Sequence, residues 1–389
     1  MKKLVYMFVF LSLLFAACGP SATVAPTPTP SDTVAPTIPP TDTLVPTATD
    51  TPTPTSSPTP LYPLEGYGPS NFPPDVNPLT GLKPADPTLL DRRPLLIKVS
   101  NIPRNNRPQW GLSLADLVFE YYTEEGNTRF AALFYGNNAD MVGPIRSGRF
   151  IDSHLVRGYK SLFIFGSAYI SEMQRFLRSE FVDRLIIEGP STPFTRYDPN
   201  GASFLIANTA SMSAYALAKG IEGRQNLDGM FFKLEVPAGG QSVPQVFVRF
   251  SGVIYNRWDY DPLTGRYLRF ADSVNDYNNV KQEYVQLTDR LTKQPIAFDN
   301  LVVLSASYEV YSPGIYDVQF SGSGGGYAFR DGQAYQVKWQ RNSTDVVSLS
   351  NPDGTPYAFK PGTTWFEILG LGSNLQQASG SWRFTHSMP

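Results

Sequence analysis

The sequence predicts an α+β protein: an N-terminal α/β domain with a mixed sheet, followed by an all-β C-terminal domain built as a roll, sandwich or small barrel. Three observations predict it. Between about residues 75 and 230, short apolar runs alternate with segments of helical period, the pattern of helices layered on a sheet. From about residue 240 onward helix signals vanish, and strand-like runs recur between turn dipeptides such as Asp331-Gly332 and Asp353-Gly354. Apolar residues are 41% and aromatics 13% of 389 residues, enough to fill sizeable cores.

The chain opens with an address. Lys2 and Lys3 precede an apolar run of 12 residues, Leu4 to Phe15, too short to span a bilayer and typical of a signal-peptide core. The run ends in Phe15-Ala16-Ala17-Cys18, small residues before a cysteine, as in a bacterial lipobox. Residues 1–18 therefore read as a lipoprotein signal peptide, cleaved before Cys18, with Cys18 as the lipidation site. Cys18 is the one cysteine in the chain. Such an anchor places the protein extracytoplasmically, on the outer face of the cell membrane, and more than one acyl chain makes the attachment lasting.

Residues 19–74 read as a disordered Pro/Thr-rich tether. Positions 20–60 hold 12 Pro and 13 Thr and no Lys or Arg. Proline locks φ and removes backbone donors, so the segment favours extended polyproline II, with a reach on the order of 100 Å at ~3.1 Å per residue.

The α/β domain is placed at 75–238. Leu95 to Val99 reads as a buried strand. Leu117 to Tyr122 and Arg129 to Tyr135 read as a hairpin turned by Gly126 and Asn127. Ser161 to Phe165 and Arg184 to Glu188 continue the strands. Helical spacing marks Phe150 to Gly158, Ser171 to Arg178 and Thr209 to Lys219, the last stopped by Gly220. The Gly- and Pro-rich stretch 237–244 reads as the boundary. The all-β domain, 239–372, opens with Val246 to Phe250. A hairpin follows over Trp258–Tyr260 and Tyr267–Phe270, around an Asp-Pro-Leu-Thr-Gly turn. Ser321 to Gly326 reads as a flexible tip, and 373–389 as a C-terminal tail.

Composition excludes several function classes. Thirty-two Lys+Arg against 34 Asp+Glu give a net charge of −2, so a nucleic-acid partner is not expected. One cysteine permits no intramolecular disulfide and no thiolate zinc site, and two histidines, His154 and His386, cannot build a multi-histidine metal centre.

The chemistry-bearing stretch is 92–157, with eight arginines against one lysine, Lys98. Arginine offers a planar fork that matches carboxylate or phosphate oxygens in pairs. Gly143-Pro144-Ile145-Arg146-Ser147-Gly148-Arg149 holds two arginines three apart on a backbone shaped by glycine and proline. Arg107, Arg129, Arg146, Ser147 and Arg149 are the candidate ligand-binding residues. Asp116 and Glu120, four apart on a predicted strand, project to one face. They are the candidate catalytic pair, with Asp116 as a candidate metal ligand for Mg²⁺ on a phosphorylated substrate. The same charges equally describe an internal ion-pair network.

Asn77-Pro78-Leu79-Thr80-Gly81, Arg93-Pro94, Arg107-Pro108-Gln109, Ala115-Asp116, Thr128-Arg129-Phe130 and the 143–149 run resemble the YerB-like lipoproteins, bacterial surface proteins of unknown function. Trp258-Asp259-Tyr260-Asp261, Asn300-Leu301-Val302-Val303 and Pro361-Gly362-Thr363-Thr364-Trp365 resemble the family's second domain. The resemblance covers about 75–370. It implies a two-part, extracytoplasmic architecture and no reaction. The order of strand, Ala-Asp, second strand and Pro-x-Arg turn also resembles the phosphotransferases that attach glycopolymers to the cell wall. That resemblance implies Asp116 with Mg²⁺, and Arg107, Arg146 and Arg149 as a pyrophosphate clamp. The leading expectation is a lipid-anchored envelope protein that binds an anionic envelope component, such as a cell-wall or polyprenyl-phosphate group, through an Arg-rich cleft. A Mg-dependent phosphotransferase or hydrolase on polyprenyl-pyrophosphate-linked glycan is the alternative.

Overall fold

The structure, a computed structural model, describes residues 62–197 and 204–388. Cys18 and tether residues up to 61 lie outside the described residues. The described residues form one compact unit.

In the first half, β1 (Leu95–Ser100), β2 (Leu117–Tyr122) and β3 (Thr128–Phe134) precede α1 (Phe150–Gly158). Then come β4 (Leu162–Phe165), α2 (Ile170–Leu177), β5 (Leu185–Ile187), β6 (Phe194–Arg196), β7 (Leu205–Ala207) and α3 (Thr209–Ala218). The second half is all strand: β8 (Phe231–Phe232), β9 (Gln241–Ser242), β10 (Gln245–Arg249), β11 (Tyr255–Asp261), β12 (Arg266–Asp272), β13 (Tyr284–Gln286) and β14 (Ala297–Phe298). A long β15 (Asn300–Ser312) follows, then β16 (Ile315–Gln319), β17 (Gly322–Arg330), β18 (Gln333–Arg341) and β19 (Ser348–Ser350). The chain ends through β20 (Ala358–Phe359), β21 (Thr364–Gly370), β22 (Asn374–Ala378) and β23 (Ser381–Thr385). The fold is α+β, with a mixed main sheet and a second half rich in strands.

The strands form a 12-stranded mixed sheet, ordered β19-β18-β17-β15-β21-β2-β3-β1-β4-β5 with β16 paired to β15 and β9 to β18, and a seven-stranded sheet, ordered β13-β12-β11-β10-β23-β22 with β14 paired to β12. Alternation along each strand builds two cores. One face of the large sheet, with Val118, Phe130, Val303 and Trp365, packs on Val246, Trp258 and Phe384 of the smaller sheet. The other, with Phe119, Leu133, Phe163 and Phe366, packs on Ile151, Leu155 and Tyr159 of α1 and Phe176 of α2. Strands covered on both faces carry continuous apolar runs, as Leu117–Phe119 does, and Trp365–Leu369 is apolar but for the buried Glu367.

Four expectations are corrected. The regions 75–238 and 239–372 share one sheet, because β21 lies between β15 and β2 and is parallel to both. Every residue of β21 is buried, Glu367 included, so its backbone groups need ladder partners on both edges, and one neighbour comes from each half. The 373–389 segment is not a tail. Trp382 and Phe384 are buried and alternate with half-buried positions, and β23 pairs with β10. Residues 62–74, read as tether, are part of the folded unit: Tyr67 exchanges backbone hydrogen bonds with Phe232, and Tyr62 and Phe72 pack against the core. The 321–326 stretch is likewise the start of an ordered strand, β17, paired along its length with β18.

Candidate functional site

The turn between β2 and β3 carries Glu124, with Glu125 and Gly126 at positive φ. It brings this carboxylate up against Arg129 at the start of β3 and Arg149, the residue capping α1. Arg129 Nη2 donates to Glu124 Oε1 at 2.7 Å. Arg149 Nε donates to Glu124 Oε2 at 2.8 Å, and its Nη2 donates to Oε1. One carboxylate thus holds two guanidinium forks. Glu172 of α2 stands 3.6 Å from Arg149 Nε and accepts the Tyr169 backbone N–H at 3.0 Å.

These groups wall an open cleft of about 310 Å³, closed on its far side by Pro313-Gly314, Ile315 and Tyr316 of the β15–β16 hairpin and flanked by Tyr169. Side-chain exposure at Glu124 is 25% and at Arg149 14%, so both reach solvent. Burial pushes the Glu124 carboxyl up, but the hydrogen bond from Arg149 and the charge of Arg129 outweigh it and hold it below the usual range. Burial raises Glu172. Burial, with the neighbouring charge of Arg149, pushes Arg129 down to about 10.

Behind the cleft, Lys98 of β1, Tyr121 of β2 and Asp152 of α1 form a fully buried set. Lys98 Nζ lies 3.2 Å from Asp152 Oδ1, and the Tyr121 hydroxyl donates to that same oxygen. Desolvation, partly offset by Asp152, pushes Lys98 down to about 8. Asp152 also accepts the Arg149 backbone N–H, which ties the helix start to this set.

The predicted site residues divide. Arg149 lines the cleft, and Arg129 backs it. Ser147 accepts from Arg129 through its carbonyl at 3.1 Å, while its hydroxyl meets Ser167. Arg146 Nε donates to Ser100 Oγ at 3.3 Å. Arg107 is elsewhere: it is buried and clamps Asp272 with Nη1 and Nη2 at 3.0 and 3.2 Å. Asp116 and Glu120 do not converge on one site. Asp116 is wholly buried, and its oxygens accept from Asn77 Nδ2, Tyr135 N and Gly136 N. Its surroundings are hydrogen-bond donors, the reverse of what a metal ligand set offers. Glu120 faces the smaller sheet, whose Arg269 Nη2 reaches it at 2.7 Å, and it also accepts from Thr128 Oγ1 of neighbouring β3 at 2.6 Å. Among the described residues no group of three His, Cys, Asp or Glu could hold a metal ion.

Sequence reasoning missed Glu172, Tyr169 and the hairpin tip. Glu172, three residues after Tyr169, had a helix-start signal, and Ser312-Pro313-Gly314 had a turn signal. Nothing local says that the two meet.

Two family patterns match the chain: the N-terminal domain of a protein of unknown function (DUF3048) over residues 79–222, and the corresponding C-terminal domain over 246–366. A Bacillus subtilis (strain 168) protein named "Putative lipoprotein YerB" is 28% identical over 310 residues, which are 75% of this chain and 85% of that protein. The crystal structure of the YerB protein from Bacillus subtilis superposes with a TM-score of 0.64 at 27% identity, covering 76% of this chain and 96% of the other.

Proposed function

Given that the chain belongs to the two-domain DUF3048 family of proteins of unknown function, we propose that it is a lipid-anchored extracytoplasmic protein that binds an anionic envelope component in the Arg149 cleft. The name of the Bacillus relative supports the lipid anchor, as does the run ending in Cys18. The observation that carries the binding reading is the convergence of Arg129 and Arg149 on Glu124 at the wall of an open cleft. A ligand carboxylate or phosphate can take the place of Glu124 on the two forks, since each fork matches paired oxygens. Glu124 then acts as an internal stand-in for the ligand and keeps the arginines apart when the cleft is empty. Tyr169 and Tyr316 offer apolar surface to the rest of the ligand.

The phosphotransferase alternative asks Asp116 to hold Mg²⁺ and Arg107 to clamp pyrophosphate. The first is satisfied by three donors, and the second by Asp272. Binding without turnover is the better-supported reading.

The test is calorimetric titration at low salt of the unlipidated chain (Cys18→Ser) with inorganic pyrophosphate and with N-acetylmuramoyl dipeptide. Arg149→Ala abolishes binding. Glu124→Gln, which removes the competing charge, tightens it. Absence of binding by both anions, or equal affinity in Glu124→Gln and the parent, overturns the proposal.

A further inference from the structure

Far along the large sheet lies a second and wider recess, about 650 Å³, where β17 and β18 face β22 and β23 of the smaller sheet. Its walls are two cross-strand pairs. Tyr327 stands opposite Gln336 in the β17–β18 register, and Trp382 stands opposite Gln377 in the β22–β23 register. Cross-strand partners share a face, so each sheet presents one aromatic ring and one primary amide to the same space. Tyr327 meets Trp382 edge-on, with ring centroids 5.1 Å apart, which fixes the angle of its half-buried ring. Asn351 and Asp353 form the rim. No Lys or Arg lines the recess.

The recess continues past Tyr327 and Gln336 into a smaller pocket of about 190 Å³ beside Gly325 and Phe384. Gly325 lies two residues from Tyr327 on the same strand face. A Cβ built there meets nothing within 4 Å, and its φ is not in the left-handed region. A side chain at 325 would be sterically and conformationally acceptable to the fold. It would, however, project into the smaller pocket, beside the Tyr327 and Gln336 that line both. Gly325 thus leaves this space open, whereas a Cβ at Gly324 or Gly326 would collide with Trp339 or with Val303 and Leu304.

We propose that this groove binds a neutral oligosaccharide. Pyranose rings present C–H faces, which stack on the electron-rich face of an aromatic ring, and hydroxyls that donate and accept at once. Primary amides are the matching side chains, because each both donates and accepts. Phosphate or carboxylate would require cations that the lining lacks. Tyr327 is the stacking platform; Gln336 and Gln377 hold hydroxyl or acetamido groups from either side. This site is independent of the Arg149 cleft, and neither reading rests on the other.

The experiment uses the unlipidated full chain, titrated with chitotetraose and cellotetraose and followed by tryptophan fluorescence and calorimetry. Saturable binding of at least one of them is expected. Gly325→Leu fills the smaller pocket and weakens binding at least tenfold, with the melting temperature unchanged. Gln336→Ala and Gln377→Ala each weaken it about fivefold, as loss of one net hydrogen bond implies. Gln376→Ala, on the opposite face of β22, leaves it unchanged. Absence of binding by both sugars overturns the proposal, as does binding that survives Gly325→Leu. Fluorescence that instead changes when the 20–60 segment is deleted, without response to sugar, assigns the groove to the chain's own Pro/Thr-rich segment and also overturns it.

Discussion

Replacing Arg269 by Met tests the charge economy at the centre of the molecule. Glu120 on β2 and Glu367 on β21 are register partners on adjacent strands, and both are fully buried between the two sheets. Arg269 of β12 is the cation between them, with Nη2 2.7 Å from Glu120 and Nη1 3.5 Å from Glu367. Its guanidinium also lies 4.4 Å from the Trp365 ring centroid. Methionine keeps the apolar stem and removes the charge, leaving two carboxyls uncompensated. Breaking a buried pair in this way costs about 4 kcal/mol. With an unfolding entropy near 2.1 cal/mol/K per residue, that lowers the melting temperature of about 320 ordered residues by about 6 °C. The loss depends on pH. Burial, and after it the charge of Glu120, already holds Glu367 well above its ordinary value. A carboxyl with a raised folded pKa contributes stability that is fully present below its unfolded pKa, near 4.5, and declines as pH rises towards the folded value. Without Arg269 that decline steepens, so the penalty is larger at pH 8 than at pH 5, where Glu367 can hold a proton. Thermal unfolding by circular dichroism at both pH values reads the effect, and Arg269→Met combined with Glu120→Gln recovers at least half of it. A penalty under about 1 kcal/mol at pH 8, or one no smaller at pH 5, refutes the reasoning.

Two further predictions concern buried groups outside the cleft. Asp116→Ala orphans the N–H groups of Tyr135 and Gly136 and the amide of Asn77; it costs about 3 kcal/mol in a denaturant titration and leaves pyrophosphate binding unchanged. Burial raises Asp116 to about 6, so its contribution weakens as pH climbs from about 4 through 6, and the stability profile of Asp116→Ala lacks that slope. His386 is pushed down to about 4 by burial and accepts the Gly370 N–H at Nδ1. The unfolded chain takes up a proton at this residue as pH falls below about 6.5 while the folded chain resists until about 4, so stability is lost on acidification over that window. His386→Phe is less stable at pH 7.5 by about 1 kcal/mol and loses less between pH 6.5 and 4; a parallel loss in both proteins, followed by melting temperature, would remove His386 from the acid response.

Much of the fold is legible in local sequence. Thr209–Ala218 has its cap and its stop in plain view, since the Asn208 side chain accepts the Ser211 N–H and Gly220 takes φ +70°. The 258–270 hairpin turns at Gly265, φ +69°, where its Asp-Pro-Leu-Thr-Gly turn requires it. The candidate site is legible only in part. Arg129 and Arg149 were named, because arginine beside glycine and proline is a local pattern. Their shared partner Glu124 was not singled out, and the wall made by the hairpin around Pro313 has no signature near either arginine. Arg107 fits the same local pattern but ends on Asp272, 165 positions away.

By itself the sequence determined the signal-like start, the Pro/Thr-rich segment, the alternation that makes strands and the periods that make helices. These depend on neighbours within a few residues, where propensity, capping and turn chemistry act. Only tertiary structure decided that β21 joins the two halves in one sheet, that the last strands are structural, and that of eight arginines in 92–157 Arg149 faces an open cleft while Arg107 is locked inside. Strand order and the pairing of buried charges are set by which distant surfaces exclude water together. That choice is made by the whole chain at once.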